Sequence, residues 1–227
     1  MMSSHQLEWR VDVGKETTSA AYDPPDGNDK GVVFVCAHGA GGNMNDRGLV
    51  QTAANLRGRE IGVVRFNFLY KERKSGRPDA MPRLKECFTA VVAHARKELS
   101  PKTLIIGGRS MGGRAASMLA ADGFDCNGLL LLAYPLHPPG KPDQLRDAHL
   151  PAIEVPVICF SGTRDPFCTP SLMEDVLKRV KTSWEMHWVE GADHSFHVLK
   201  SSGKTDAQVL DGIGDAVQVW VDRLSSD

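Results

Sequence analysis

Short runs of apolar residues recur along the chain, separated by stretches long enough to hold a helix. Five of these runs are almost free of charged residues and partly β-branched, at 31–38, 61–68, 103–108, 128–134 and 156–162. Such runs are typical of strands that are buried on both faces of a parallel sheet. A further run at 184–190 is more amphipathic, which predicts a strand near an edge of the sheet.

The stretches between the runs predict helices over roughly 46–59, 82–99, 110–122, 170–181 and 205–224. Two alternating segments, "LEWRVDV" and "TSAAY", precede the turn-rich 23–31 and predict strands of their own. Strands that alternate with helices favour an α/β fold with a mostly parallel sheet and helices on both faces. In such sheets the chemistry lies just outside the C-terminal ends of the strands.

Composition narrows the classes of function. The chain has 227 residues, which we expect to form a single α/β domain over 1–227. A net charge of −1 argues against general nucleic-acid binding. No segment has the length of a membrane span or a signal peptide, and the five cysteines are odd in number, so we expect a cytoplasmic or nuclear protein. No metal or cofactor motif is present, so none is expected.

The stretch "GGRSMGGR" contains the pattern G-x-S-x-G between the apolar run "TLIIG" and an alanine-rich helix. In this context the serine, Ser110, is predicted to project from a strained turn above the sheet. Gly108 and Gly112 are expected to avoid collisions across that turn because they lack a Cβ atom. An ordinary glycine-rich turn is the alternative, but the strand–turn–helix context favours a nucleophile.

A serine hydroxyl needs a base, and the base needs an acceptor. His194, which follows the last predicted strand, is favoured as the base over His197. Asp165, at the end of the strand before it, is favoured as the acid over Asp193, because side chains that adjoin in sequence seldom face each other. The order serine, aspartate, histidine is that of the α/β-hydrolases.

Two backbone N–H groups are needed to stabilise a developing oxyanion. One is expected from Met111, directly after the nucleophile. The other is expected from the loop "AHGAGGNMND", at Ala40 or a residue adjacent to it. A phosphate-binding loop is disfavoured because no Lys-Ser/Thr follows the glycines. His38 is expected to brace this loop by hydrogen bonding.

These motifs, with "YPLHPPGKPDQLRDAHL", "SGTRDPF" and "HWVEGADHSF", make the chain resemble the α/β-hydrolase superfamily over about residues 31–224. It is similar to the small dienelactone-hydrolase-like branch. Within that branch it looks most like the testis-expressed hydrolase-like proteins and the hydrolase-like domain of subunit three of the NSL chromatin complex. The resemblance implies Ser110 as nucleophile, Asp165 as acid and His194 as base. A dienelactone hydrolase proper carries cysteine as nucleophile, so Ser110 points away from that activity.

Residues 135–150 occupy the usual place of a lid, and their short, proline-rich sequence predicts a small cover and an open cleft. Arg109 and Arg114 flank the serine; a structural ion pair is favoured for them over contact with an anionic substrate group. The resulting hypothesis is a serine esterase or thioesterase that cleaves a small or extended acyl substrate. The alternative is an interaction or scaffold protein on a hydrolase fold, with weak or no turnover.

Overall fold

A computed structural model of the chain describes residues 6–224. Eight strands form one sheet, in the order β1-β2-β4-β3-β5-β6-β7-β8. All neighbouring pairs from β4 to β8 are parallel, whereas β2 is antiparallel to both of its neighbours. The strands are β1 Leu7–Val13, β2 Glu16–Asp23, β3 Val32–Ala37, β4 Gly62–Phe66, β5 Thr103–Arg109, β6 Gly128–Leu132, β7 Val157–Gly162 and β8 Trp184–Val189.

Helices cover both faces of this sheet, which confirms the predicted architecture. They are α1 Arg47–Arg57, α2 Leu69–Glu72, α3 Met81–Leu99, α4 Met111–Ala121, α5 Pro170–Leu177 and α6 Asp206–Leu224. Buried side chains of α3, α4 and α5 share one core, and those of α1 and α6 share the other. Two short 3₁₀ turns, Leu150–Ala152 and Lys200–Ser202, complete the regular structure.

The two cores explain why the central strands are apolar throughout. Along β3, Val33 and Val35 belong to the core beneath α3, α4 and α5, while Phe34 and Cys36 belong to the other. Successive side chains of a strand point to opposite faces, so a strand covered on both sides needs apolar residues at every position. The edge position predicted for the amphipathic run is confirmed, because β8 pairs only with β7 and all its residues are half-buried.

Two local features depart from the sequence prediction. Helix α5 ends at Leu177, although the pattern predicted it to 181, and α2 was not predicted. A helix of four residues is too short to show a period of 3.6 residues.

Residues 133–149 contain neither helix nor strand, which agrees with the small cover predicted for this segment. Within residues 6–224, no helix combines the length and the apolar character needed to cross a lipid bilayer.

Candidate active site

Ser110 lies on the turn that joins β5 to α4. Its backbone angles, φ 51° and ψ −117°, fall in a region that non-glycine residues rarely adopt and that costs about 1–3 kcal/mol. The surroundings hold this conformation in place. The Ser110 N–H donates to the carbonyl of Leu132 at 2.9 Å, and the Arg114 N–H donates to the Ser110 carbonyl at 3.0 Å. The serine side chain therefore stands at the C-terminal edge of the sheet, as its motif predicted.

Gly108 and Gly112 allow the turn to approach the neighbouring strand β3. A Cβ atom on Gly108 would lie 2.2 Å from the carbonyl oxygen of Ala37, and one on Gly112 would lie 2.5 Å from the same oxygen. Gly108 also has a φ of 138°, which L side chains rarely adopt. The backbone nearest to both positions is that of Ala37 on β3, so this strand excludes a side chain at Gly108 and Gly112.

Three side chains are hydrogen-bonded in series at the C-terminal ends of the strands. The Ser110 hydroxyl lies 3.0 Å from Nε2 of His194, and Nδ1 of His194 lies 2.7 Å from Oδ2 of Asp165. The Asp165 side chain is fully buried, whereas that of His194 is 22% exposed. The structure therefore brings together the three residues that the sequence analysis predicted. With its proton on Nδ1, neutral His194 donates to the carboxylate and accepts from the serine.

Phe167 fixes the aspartate and the histidine, and sequence reasoning missed it. Its backbone N–H donates to Oδ1 of Asp165 at 2.8 Å, so both carboxylate oxygens have a donor. Its ring packs against the imidazole of His194, with 4.4 Å between the ring centroids. Pro166 predicted a loop here, but no sequence pattern indicated which side chain of the loop would contact His194.

The alternative base and acid make other contacts. Oδ1 of Asp193 accepts the backbone N–H groups of Ser195 and His197, at 2.7 and 3.1 Å, so Asp193 caps the turn. His197 is exposed, and its Nδ1 lies 2.9 Å from Oδ2 of Asp206. That ion pair raises the pKa of His197. Neither residue is hydrogen-bonded to Ser110.

The loop that contains Ala40 lies beside the serine. A Cβ atom on Gly39 would lie 3.5 Å from Cβ of Ser110, and Ala40 and Met111 line the same cleft as Ser110. The Tyr70 hydroxyl donates to the Ala40 carbonyl at 2.7 Å, which fixes the orientation of this peptide. As the first residue of α4, Met111 has an N–H group without a partner four residues earlier in the helix.

His38 braces this loop from beneath, as the sequence predicted. Its Nε2 accepts the backbone N–H of Phe68 at 3.1 Å, so Nδ1 carries the proton and donates to the Gly39 carbonyl at 2.7 Å. Burial lowers the pKa of His38, which keeps the ring neutral. His38 is fully buried and has no contact with Ser110 in this network, so its role is to shape the loop.

Ser110 opens into a cleft of about 550 Å³, and three arginines line it: Arg109, Arg114 and Arg146. Arg109 donates to the backbone carbonyl of His194 at 2.9 Å, so it fixes the loop that carries the histidine. Within residues 6–224, neither Arg109 nor Arg114 has an acidic group within 4 Å, so the expected structural ion pair is wrong. Arg146, in the segment that replaces a lid, was not singled out by the sequence.

A second serine–histidine pair lies beneath the cleft. Ser117 Oγ is 2.8 Å from Nε2 of His149 and 2.9 Å from the Arg114 carbonyl. Ser117 is fully buried within α4 and does not line the cleft. With the ring proton on Nε2, His149 donates to Ser117, which in turn donates to Arg114. This chain of hydrogen bonds secures the first turns of α4, and the buried hydroxyl of Ser117 is closed to a substrate.

The half-buried His149 predicts a loss of stability in acid. Burial, reinforced by the charge of Arg114, lowers the pKa of His149 to about 4, whereas an unfolded histidine titrates near ~6.5. The unfolded state therefore takes up this proton first, and stability is lost as the pH falls from ~6.5 to ~4. Since His149 is only half-buried, we expect His149→Gln to reduce this loss by about 1–2 kcal/mol.

Urea unfolding of the wild type and of His149→Gln between pH ~6.5 and ~4.5 measures the difference in how much stability each protein loses. Glutamine keeps an N–H donor for Ser117, so the substitution removes the titration and retains the hydrogen bond. His38 is present in both proteins, and its contribution cancels. If the wild type and the variant give parallel curves of unfolding free energy against pH, then His149 has the same pKa in the folded and the unfolded protein, and the prediction is wrong.

Known protein families and solved structures share this arrangement of elements. The family model described as "Alpha/beta hydrolase domain" matches residues 30–222. The structure of an alpha-beta serine hydrolase homologue from Coxiella burnetii is 20% identical with a TM-score of 0.74, over 93% of this chain and 97% of that one. An a/b serine hydrolase without lid from Xanthomonas campestris is 21% identical with a TM-score of 0.78, over 97% of each chain. Dienelactone hydrolase from Anabaena variabilis is 17% identical with a TM-score of 0.73, over 96% of this chain and 97% of that one.

Proposed function

Because the chain belongs to the alpha/beta hydrolase domain family, we propose that it is a serine hydrolase that cleaves an ester or thioester through an acyl-enzyme. One observation carries the proposal: the Ser110 hydroxyl, the His194 imidazole and the buried Asp165 carboxylate are hydrogen-bonded in series beside an open cleft. A serine at such a turn becomes a nucleophile when a neutral imidazole accepts its proton.

The first half of the reaction follows from these contacts. Nε2 of His194 removes the hydroxyl proton of Ser110 as Oγ attacks the carbonyl carbon of the substrate. The carbonyl oxygen becomes an oxyanion, which the N–H groups of Met111 and Ala40 are proposed to stabilise. The buried carboxylate of Asp165 stabilises the imidazolium that forms. His194 then returns the proton to the leaving alcohol or thiol as the tetrahedral intermediate collapses to the acyl-enzyme.

The second half reverses these roles with water. His194 takes a proton from a water molecule, the hydroxide attacks the acyl carbonyl, and the oxyanion site is used again. Collapse releases a carboxylic acid and returns the proton to Ser110 Oγ. His194 keeps the required orientation throughout, since Asp165, the ring of Phe167 and Arg109 hold its Nδ1, its face and its backbone carbonyl.

The cleft favours small or extended acyl substrates over buried long-chain lipids. The segment 133–149 forms no lid helix, and His194 is partly exposed. We further propose a single domain over 1–227, within the branch of the testis-expressed and NSL subunit-three hydrolase-like proteins, on the motifs quoted above. A cytoplasmic or nuclear location is also a proposal, supported by five unpaired cysteines, all of them buried.

A fluorophosphonate probe tests the proposed nucleophile. The hydroxyl oxygen of an activated serine attacks phosphorus and displaces fluoride, which leaves a stable adduct. We expect mass spectrometry to place the adduct on Ser110, because among residues 6–224 this is the serine that lines the cleft and is hydrogen-bonded to an imidazole. Ser117, which is fully buried beside His149, should remain unlabelled, and Ser110→Ala should abolish labelling.

The competing hypothesis is an interaction or scaffold protein with weak or no turnover. It predicts no adduct under conditions that label a control hydrolase. An adduct on Ser117 or another serine would likewise overturn the assignment of Ser110. Labelling alone establishes the activated serine, so hydrolysis of a p-nitrophenyl ester should be measured in the same preparation.

A further inference from the structure

We propose that Arg114 and Arg146 form a subsite for an anionic group of the substrate, a carboxylate or a phosphate, inside the cleft that contains Ser110. The inference rests on the proposed serine hydrolase function and specifies its substrate class. Both arginines line the cleft together with Ser110, Met111 and His194. An anion held by them would therefore belong to the molecule whose carbonyl group meets the serine.

Arg114 is placed by the helix that follows the nucleophile. Its backbone N–H donates to the Ser110 carbonyl at 3.0 Å, so it lies one helical turn beyond the serine. Side chains of a helix lean toward its N-terminus, which directs this guanidinium back toward the end of α4 that carries Ser110. The N-terminus of α4 adds the positive end of the helix dipole to the same region.

The two guanidinium groups lack the partners that other arginines of this protein have. Arg59, Arg65 and Arg83 each pair with one or two carboxylates. By contrast, no side-chain hydrogen bond or ion pair of Arg114 or Arg146 exists among residues 6–224, and Nε of Arg114 is buried without an acceptor. A buried donor without an acceptor costs about 1–3 kcal/mol, and a bound anion would supply that acceptor.

The charges around the cleft do not offset this pair. Asp46 is the carboxylate that lines the cleft, and its two oxygens accept the backbone and side-chain N–H groups of Asn43. Arg109 is occupied by the carbonyl of His194. Burial and the neighbouring charge of Arg114 lower the pKa of Arg146, so each arginine is a repulsive neighbour of the other. An anion between them would turn that repulsion into attraction.

The backbone that presents Arg146 is held at both of its polar groups. Its N–H donates to the Leu136 carbonyl at 2.7 Å, and its own carbonyl accepts the hydroxyl of the buried Tyr134 at 2.7 Å. The adjacent Asp147 is engaged by Arg179, so it does not neutralise Arg146. The backbone of Arg146 is therefore fixed in a segment that otherwise lacks regular structure, so the point from which its guanidinium enters the cleft is set before a substrate binds.

Guanidinium groups suit carboxylates and phosphates because their planar N–H donors match two oxygens at once. A preference of this kind can be measured with paired esters of equal length. One pair compares p-nitrophenyl pentanoate with the mono-p-nitrophenyl ester of glutaric acid, which places the charge on the acyl side. A second pair compares p-nitrophenyl butyrate with the butyrate ester of 4-hydroxy-3-nitrobenzoic acid, which places it on the leaving group.

The quantity to compare is the ratio of kcat/KM for the charged ester to that for the neutral ester. Arg114→Gln and Arg146→Gln should each lower this ratio by about tenfold or more in at least one pair, because each removes a charged hydrogen-bond donor. Arg114→Lys should retain part of the preference. Arg96→Gln, which alters an arginine at the surface beside Asp125, should leave the ratio unchanged. Differences in intrinsic ester reactivity cancel in this comparison.

Glutarate and inorganic phosphate, tested as competitive inhibitors of the neutral ester, distinguish the two anions. Ratios that stay within about threefold of wild type in both glutamine variants, for both pairs, would overturn the subsite while Ser110 labelling leaves the proposed function standing. If no ester is hydrolysed and no probe binds, the proposed function fails. Calorimetric titration of wild type and Arg114→Gln with glutarate and phosphate then decides the subsite: binding lost in the variant supports it, and equal or absent binding overturns it.

Discussion

The single substitutions Ser110→Ala and His194→Ala should each reduce kcat for an activated ester by about 10⁴–10⁶-fold. The two side chains act on one proton, which passes between Oγ and Nε2 over a 3.0 Å hydrogen bond. Once either is absent, the other has no partner for that proton. The double replacement should therefore cost little more than either single one, because residues that act as a unit are not additive. Steady-state rates of the four proteins with p-nitrophenyl butyrate provide the measurement.

Two controls make this prediction specific. His197→Ala removes the alternative base, whose ring pairs with Asp206 at the surface, and should change kcat less than about tenfold. Ser171→Ala changes an exposed serine of α5 and should have no effect. Independent, multiplicative losses in the double variant would mean that Ser110 and His194 do not cooperate. If His197→Ala lowers kcat as much as His194→Ala does, the assignment of His194 as the base is wrong.

The fold could be predicted because its central strands are buried on both faces. A run such as "GVVFVCAH" has no polar alternation, and only a sheet with helices on both sides supplies two apolar surfaces. Ser110, Asp165 and His194 could be placed for a related reason. Ser110 and Asp165 each follow one of these runs and His194 follows the amphipathic edge strand β8, and the C-terminal ends of parallel strands meet at one edge of the sheet. The order of the three residues along the chain and their places after strands were sufficient to predict that their side chains lie close together.

The supporting contacts could not be predicted in the same way. Phe167 and Arg146 lie in segments without regular structure, so no period determines the direction of their side chains. Tyr70 lies on a single helical turn and reaches Ala40 from 30 residues away in sequence. The contact between Gly108 and the Ala37 carbonyl depends on strand register, which the sequence of the turn does not contain. These features depend on tertiary packing and not on local pattern.

Asp165 offers the sharpest test of the site, because the structure predicts which way an asparagine would face. Oδ1 of Asp165 accepts the Phe167 N–H and Oδ2 accepts Nδ1–H of His194. In Asp165→Asn, the amide oxygen must take the Phe167 position, where only an acceptor fits, so the NH₂ group faces the histidine. His194 then accepts at Nδ1 and carries its proton on Nε2, the tautomer that cannot act as base for Ser110.

We therefore expect Asp165→Asn to lower kcat about 10⁴-fold with little change in fold, as judged by circular dichroism and urea unfolding. Asp193→Asn is the matched control. Oδ1 of Asp193 accepts two backbone N–H groups, and an asparagine oxygen can accept both, so the turn and the position of His194 should persist. A larger loss on Asp193→Asn than on Asp165→Asn would reverse the assignment of the acid. A small loss on both would mean that the imidazole keeps its productive tautomer without a carboxylate, and the serial arrangement would then not explain catalysis.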